Sequence, residues 1–232
     1  MATDAEIVTI DGPASSGKSS VSRAVARALG FRHLDTGAMY RAVTLACLER
    51  RIGCGPQDRA AMAELLRALD LRLDGRGGVS LFGVDVREQI RNSQVSQAVS
   101  DYSAIPEIRA ELVARQREFA GQPGGLVAEG RDMATVVFPR ARHRFFLDAT
   151  PEERARRRLE QLARRGEHDL PTLAQLTEQL RRRDQLDRTR AIAPLRQGDG
   201  ARLIDTTRLS EEEVVRTLID WIQGERSGPG QA

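Results

Sequence analysis

Lysine is almost missing from this 232-residue chain. Of its 36 basic residues 35 are arginine, and the one lysine is Lys18. A GTPase-type hydrolase carries a base-reading Asn-Lys-x-Asp segment, which a chain with Lys18 as its only lysine does not contain. Cysteine is scarce too: Cys47 and Cys54 form no CxxC pattern, and His33, His143 and His168 are scattered, which argues against a zinc site and for a reducing, cytoplasmic setting. Aromatics make up 4% of the residues and leave little for base stacking, so nucleic acid is not an expected partner. No apolar run reaches membrane-spanning length, and no basic segment followed by a hydrophobic stretch opens the chain. Neither a membrane partner nor a secretory signal is expected.

What is present is a pattern centred on that lysine. Ile7, Val8 and Ile10 form a β-rich run, and Gly12-Pro13-Ala14-Ser15-Ser16-Gly17-Lys18-Ser19 has the spacing Gly, four residues, Gly-Lys-Ser. This is the phosphate-binding P-loop pattern. Its glycines let successive backbone N–H groups point inward at phosphate oxygens, and the helix that follows adds the positive end of its dipole. Val21, Ala24, Val25, Ala28 and Leu29 mark one apolar face of that helix. A compact ammonium does not interchange with a planar guanidinium, which explains a lone lysine in an arginine-rich chain. Lys18 is expected to reach the β/γ phosphates of a nucleotide, Ser19 to ligate Mg²⁺ directly, and residues 12–20, including Ser20, to cradle that nucleotide.

Further strands are expected at Phe31 to Leu34, Leu126 to Ala128, Arg144 to Leu147, and Leu203 with Ile204, each followed by a helix. Five short apolar strands alternating with helices predict an α/β fold, a five-stranded parallel sheet covered on both faces, with ligands at the carboxyl ends of its strands. Acids and arginines stand at those ends: Asp35 and Arg41, then Glu129, Arg131 and Asp132, then an Arg-dense helix after Asp148 that carries Arg157 and Arg158. Tyr40 as a core aromatic and Arg41 as a solvated charge are the bland alternative. Arginines from several segments converging on a P-loop imply two phosphorylated substrates. Residues 60–105 break the rhythm with a patch of short β-strands and are expected to be an inserted subdomain; residues 151–170 are expected to be a short helical lid. Thr172 with Gln175 caps the next helix, whose stripe is Leu173, Leu176 and Leu180. The domain is expected to run over residues 1–224, with 225–232 a frayed tail.

Four segments carry a resemblance to a known family: Ile10-Asp-Gly-Pro-Ala-Ser-Ser-Gly-Lys-Ser-Ser, Leu34-Asp-Thr-Gly-Ala-Met-Tyr-Arg-Ala, Glu129-Gly-Arg-Asp-Met-Ala-Thr-Val-Val-Phe-Pro and Arg183-Asp-Gln-Leu-Asp-Arg-Thr-Arg-Ala-Ile-Ala-Pro. Together they resemble bacterial-type cytidylate kinase over residues 6–223. The resemblance implies ATP and CMP or dCMP as substrates, Mg²⁺ as cofactor, a monomer, and a monophosphate-binding role for the subdomain inserted at residues 60–105. It assigns the CMP phosphate to Arg41, Arg131 and Arg190, and cytosine to Ser100, Arg109 and Asp132. The ribose falls to Asp187 with Tyr40 and Arg183 nearby, and Thr36 joins the acceptor site. Lys18, Arg131, Arg157 and Arg158 make up the implied catalytic set, and Asp35 and Glu129 would touch Mg²⁺ through water. Two positions depart from the family pattern: Ala134 stands where Gly is usual, and Glu129 where Asp is often found. A kinase of another small acceptor, or a nucleic-acid-binding P-loop module, are the competing readings.

Overall fold

The computed structural model describes residues 6–167 and 169–227. His168 and residues 228–232 lie outside them. Strand β1 (Ile7–Asp11) runs into the glycine loop and helix α1 (Lys18–Leu29); Gly30 in left-handed conformation ends that helix and turns the chain into β2 (Arg32–Asp35). Helix α2 (Thr36–Glu49) follows without a loop, because the Asp35 carboxylate caps it by accepting from the Ala38 N–H at 2.9 Å. The insertion contributes α3 (Arg59–Arg67), the short strands β3 (Leu71–Leu73), β4 (Val79–Leu81) and β5 (Val84–Asp85), and α4 (Ser93–Ser103). Then come α5 (Pro106–Ala120), β6 (Leu126–Gly130), β7 (His143–Asp148), α6 (Pro151–Arg164), α7 (Leu173–Thr189), β8 (Arg202–Asp205) and α8 (Glu211–Ser227).

Five strands form one parallel sheet in the order β2-β6-β1-β7-β8, with β1 at its centre. Because side chains alternate along a strand, Val8 and Ile10 face one way with Val127, Phe145 and Leu147, and meet Val21 and Val25 of α1 and Leu218 and Ile222 of α8. Leu34, Leu126 and Ala128 face the other way, onto α2 and α5 through Met39, Val43, Ile108 and Leu112. Each of these fully buried side chains contributes roughly 1.5–3 kcal/mol. The insertion has no separate core: Leu71, Val79 and Leu81 of its antiparallel sheet join the α2–α5 cluster. The turn between β3 and β4 touches down on β2, where the His33 N–H donates to Gly75 O at 2.8 Å.

Helices α6 and α7 pack on each other through Ala155, Leu162, Leu176 and Leu180, and Ala14 of the glycine loop belongs to the same small cluster. Thr172 and Gln175 form the expected reciprocal cap on α7. Leu173 does not join the stripe; it is 44% exposed, since the first turn of α7 overhangs the α6 contact. The C-terminal end also differs from expectation. Gly224 does not stop α8, which continues to Ser227 because Glu225 is anchored: its carboxylate takes Arg202 at 2.6 Å and lies 2.8 Å from His143 Nδ1. After β6, Met133–Val137 form one wide helical turn that no sequence signal marked. Among the described residues no helix is long and apolar enough to cross a membrane.

Gly12 is where the sheet dictates the loop's composition. Its φ is +149°, and a Cβ there would lie 2.0 Å from the Leu147 carbonyl oxygen of β7. Gly12→Ala should therefore cost roughly 1–3 kcal/mol, the usual penalty for overpacking. Gly224→Ala meets nothing within 4 Å and should stabilise by about 0.5–1 kcal/mol through helix propensity. Urea midpoints of the two variants should move in opposite directions.

Candidate active site

The loop between β1 and α1 holds its shape with three unusual backbone angles, at Gly12 (φ +149°), Ser15 (+61°) and Gly17 (+91°). Lys18 folds back over it, donating to Pro13 O and to Ser16 Oγ at 3.3 Å. The ammonium is buried. Burial first, then the neighbouring Arg131, pushes its pKa down to about 7, against the opposing pull of Glu129 and Asp11. Ser20 closes the turn by donating to Gly17 O at 3.0 Å.

Ser19 and Ser22, three residues apart on α1, present one face to the end of β6. Ser19 Oγ donates to Glu129 Oε2 at 2.7 Å, and Ser22 Oγ to Glu129 Oε1 at 3.1 Å. His33 Nε2 lies 2.9 Å from Ser22 Oγ and 3.3 Å from Glu129 Oε1. Burial works to raise the Glu129 pKa, but His33, Ser19 and Lys18 outweigh it and hold the carboxyl below its usual range. Its register partner on β2 is Asp35, which burial and the Glu129 charge push the other way, upward. Thr36 is buried and spends its hydroxyl on Glu129 O at 2.7 Å. It steadies the strand end.

Around this edge the arginines gather. Arg131 donates to Asp187 Oδ2 at 2.9 Å, and burial of Asp187 is outweighed by Arg131 and Arg183, which keep its carboxyl ionised below the usual range. Burial, then Arg131, lowers Arg183 to about 10, and burial, then Arg183, lowers Arg41 to about 9. Arg41 also reaches across to the insertion, donating to Ser96 Oγ at 2.9 Å. Arg158, itself lowered by burial, is close enough to influence Arg41 and Arg183. Lys18, Arg41, Arg131, Arg158 and Arg183 thus form one cationic cluster at the carboxyl ends of β1, β2 and β6.

Arg157 is placed elsewhere: it donates to Glu153 at 2.8 Å and Thr206 Oγ1 at 3.0 Å, beside Gly17 of the loop. Arg190 donates to Ala193 O at 2.6 Å and lies near Asp132, Arg109, Asp187 and Tyr40. Arg109 and Asp132 form a buried ion pair, with the Arg109 guanidinium 5.6 Å from the centre of the Tyr40 ring. Burial beside Asp132 pushes the Tyr40 phenol up to about 12. Arg109 further donates to Ser103 O at 3.4 Å, one turn along α4 from Ser100, whose own carbonyl accepts from Ser103 Oγ at 3.0 Å. The site therefore has two ends, a phosphate-suited cationic cluster and a buried Arg109–Asp132 pair beside Tyr40 that combines a donor with an acceptor.

Three contributors gave no sequence signal beyond being polar. Asp11, at the end of β1, accepts from Met133 N at 2.9 Å and Ala134 N at 2.8 Å, and so fixes the turn that carries Arg131 and Asp132; burial raises its pKa to about 7. His33 is the buried neighbour of Glu129 described above. Arg154 of α6 donates to Ala14 O at 3.1 Å, Ala149 O at 3.0 Å and the Asp184 carboxylate of α7, tying both helices to the glycine loop. Its side chain is 3% exposed, which an Arg-dense helix does not advertise.

A glycine loop after the first strand, a parallel sheet in this order and helices on both its faces define a P-loop kinase. The cytidylate kinase family model matches residues 8–224, and the chain belongs to that family. It is 47% identical to the cytidylate kinase of Mycobacterium leprae (strain Br4923), over 96% of this chain and 97% of that one. It is 45% identical to that of Caldanaerobacter subterraneus subsp. tengcongensis, over 95% and 96%, and 44% identical to that of Rhodococcus opacus (strain B4) over the full length of both.

Arg154→Ala should be among the most damaging single changes away from the phosphates. It leaves the buried Asp184 carboxylate without its partner, at a cost of about 3–5 kcal/mol. Arg156→Ala, which removes an exposed pair on the same helix, should cost less than about 1 kcal/mol. Thermal unfolding of both variants separates the two.

Proposed function

We propose that this enzyme transfers the γ-phosphoryl group of ATP to CMP or dCMP, giving ADP and CDP or dCDP. The observation that carries this reading is the cluster of Lys18, Arg41, Arg131, Arg158 and Arg183, more positive charge than one nucleotide's phosphates call for. Lys18 and the loop amides would hold the ATP phosphates, and Arg41 and Arg131, with Arg190, the acceptor phosphate. An acceptor phosphate is already ionised near neutral pH, so no side chain need remove a proton. Catalysis is then alignment plus charge neutralisation. Arg157 and Arg158 would close with the lid and exclude water.

Mg²⁺ fits the donors present: the exposed Ser19 hydroxyl, whose proton points at Glu129, and the carboxylates of Asp35 and Glu129. A hard, oxygen-only set of so few protein groups suits an ion that keeps most of its waters and shares phosphate oxygens. When bound, it would neutralise charge on the transferring phosphates. At the far end, Asp132, with Ser100, would accept from the 4-amino group of cytosine while Arg109 donates to the ring nitrogen or neighbouring carbonyl. Asp187 would take the ribose hydroxyls, with Tyr40 and Arg183 beside it. The free thiols of Cys47 and Cys54 suit a reducing cytoplasm.

The first test is a coupled assay with ATP and a panel of nucleoside monophosphates; preferred turnover of another acceptor would replace this reading. Uracil reverses both hydrogen-bonding groups of cytosine, and each unpaired group costs roughly 1–3 kcal/mol, so CMP should be preferred to UMP by about a hundredfold. Asp132→Asn should weaken CMP use and narrow that ratio, read as kcat/KM for both substrates. An unchanged ratio would leave Asp132 only a partner of Arg109.

Lys18 supplies a separate check. With its pKa at about 7, the free enzyme at pH 8 holds it mostly neutral, and nucleotide phosphates would return that pKa toward the ordinary lysine value of 10.5 by favouring the charged form. ADP binding at pH 8 should therefore take up close to one proton, seen by calorimetry in buffers of different ionisation enthalpy. Lys18→Met should abolish the uptake and reduce turnover by orders of magnitude.

A further inference from the structure

We propose that His33 is a positioning residue for the Ser19–Glu129 pair, holding the glutamate so that Ser19 presents its lone pairs outward to the nucleotide-bound cation. The proposal rests on the Mg²⁺ reading of Ser19 given above and concerns how this chain builds that site. Glu129 ends β6 with a side chain longer by one methylene than an aspartate, and a longer side chain has more rotamers to lose. Three groups fix it. Ser19 Oγ donates to one carboxylate oxygen at 2.7 Å. Ser22 Oγ donates to the other at 3.1 Å, and His33 Nε2 lies 3.3 Å from that same oxygen and 2.9 Å from Ser22 Oγ.

The proton assignment follows from the partners. The Ser22 hydroxyl spends its proton on the carboxylate, so its oxygen accepts, and an ionised carboxylate accepts only. His33 Nε2 faces both and must carry a hydrogen. Its other ring nitrogen points under the β3–β4 turn, where a Cβ on Gly77 would stand 3.7 Å from it, and has no hydrogen-bond partner. His33 is therefore a one-sided donor, with 2% of its side chain exposed. The insertion covers it: Gly75 O accepts from the His33 N–H at 2.8 Å, which keeps water from competing for Glu129. Without that donor the oxygen shared with Ser22 loses a partner, Glu129 gains rotamer freedom, and the Ser19 hydroxyl is no longer oriented.

Groups that orient a metal's ligands typically change affinity by 10- to 100-fold when removed. The test is calorimetric ADP binding with and without Mg²⁺, together with an Mg²⁺ titration of turnover. His33→Leu should raise the Mg²⁺ concentration for half-maximal tightening of ADP by about tenfold and leave metal-free ADP affinity unchanged. His33→Gln, which keeps an N–H at similar reach, should restore wild-type Mg²⁺ dependence. Ser22→Ala removes the neighbouring donor without disturbing the packing under the insertion, and should shift the Mg²⁺ requirement in the same direction. It carries the test if His33→Leu does not fold. Wild-type Mg²⁺ dependence in His33→Leu or Ser22→Ala overturns the proposal, as does an equal loss of metal-free ADP affinity, which would mean a general structural role. Ser19→Ala separates the two levels: if it keeps wild-type Mg²⁺ dependence, the reading of Ser19 as ligand fails and this proposal falls with it.

Discussion

Crowding of like charge at the carboxyl edge of the sheet is the constraint on which the rest depends. Lys18, Arg41 and Arg183 all sit with depressed pKa values because burial and one another's charge disfavour ionisation. The chain offsets this only in part, through Asp187, Glu129 and Asp35. An arrangement that is costly in the free protein becomes favourable when anionic phosphates enter, so binding energy is concentrated where the phosphoryl group moves. The one lysine occupies the position where a flexible point charge is needed, and guanidinium forks occupy the rest.

Holding that crowd in place takes anchors outside it. Asp11 grips the amides of Met133 and Ala134, so β1, which launches the glycine loop, also sets the turn that carries Arg131 and Asp132. Arg154 does the same from α6, reaching Ala14 O and Asp184. The loop is thereby tied to a rigid turn on one flank and to α6 and α7 on the other.

Much of the scaffold is legible in the sequence because its signals are local. The Gly-x₄-Gly-Lys-Ser spacing, the apolar runs that end in acids, and the Thr172–Gln175 cap each need only a few adjacent residues. What escapes is long-range. Asp11, His33 and Arg154 acquire their roles from partners on other elements, such as Met133 at a separation of 122 residues and Ala14 at 140. Arg157 and Arg158 look alike as neighbours on an Arg-dense helix, yet one is held by Thr206 and the other faces Arg41. Gly224 read as a helix end, but the pairing of Glu225 with Arg202 and His143 carries α8 past it. Helix propensity is a weak prior against an anchoring ion pair to Arg202 and a second contact to His143.

The two positions that the resemblance marks as departures, Ala134 and Glu129, show how such long-range partners accommodate a side chain. Ala134 stands in the turn after Asp132, and its Cβ needs room. The room comes from Gly198, where an added Cβ would stand 2.9 Å from that of Ala134, closer than real Cβ atoms approach. With that space kept, the Ala134 amide still reaches Asp11 at 2.8 Å, and the turn that presents Asp132 to Arg109 keeps its anchor. Glu129 is the mirror case: its extra methylene is accommodated not by a void but by the donors His33 and Ser22, which fix the longer side chain against Ser19. In both, the altered residue lies beside the chemistry while the residue that accommodates it comes from a different element. Substituting Gly198 would test the first adjustment as directly as His33 tests the second.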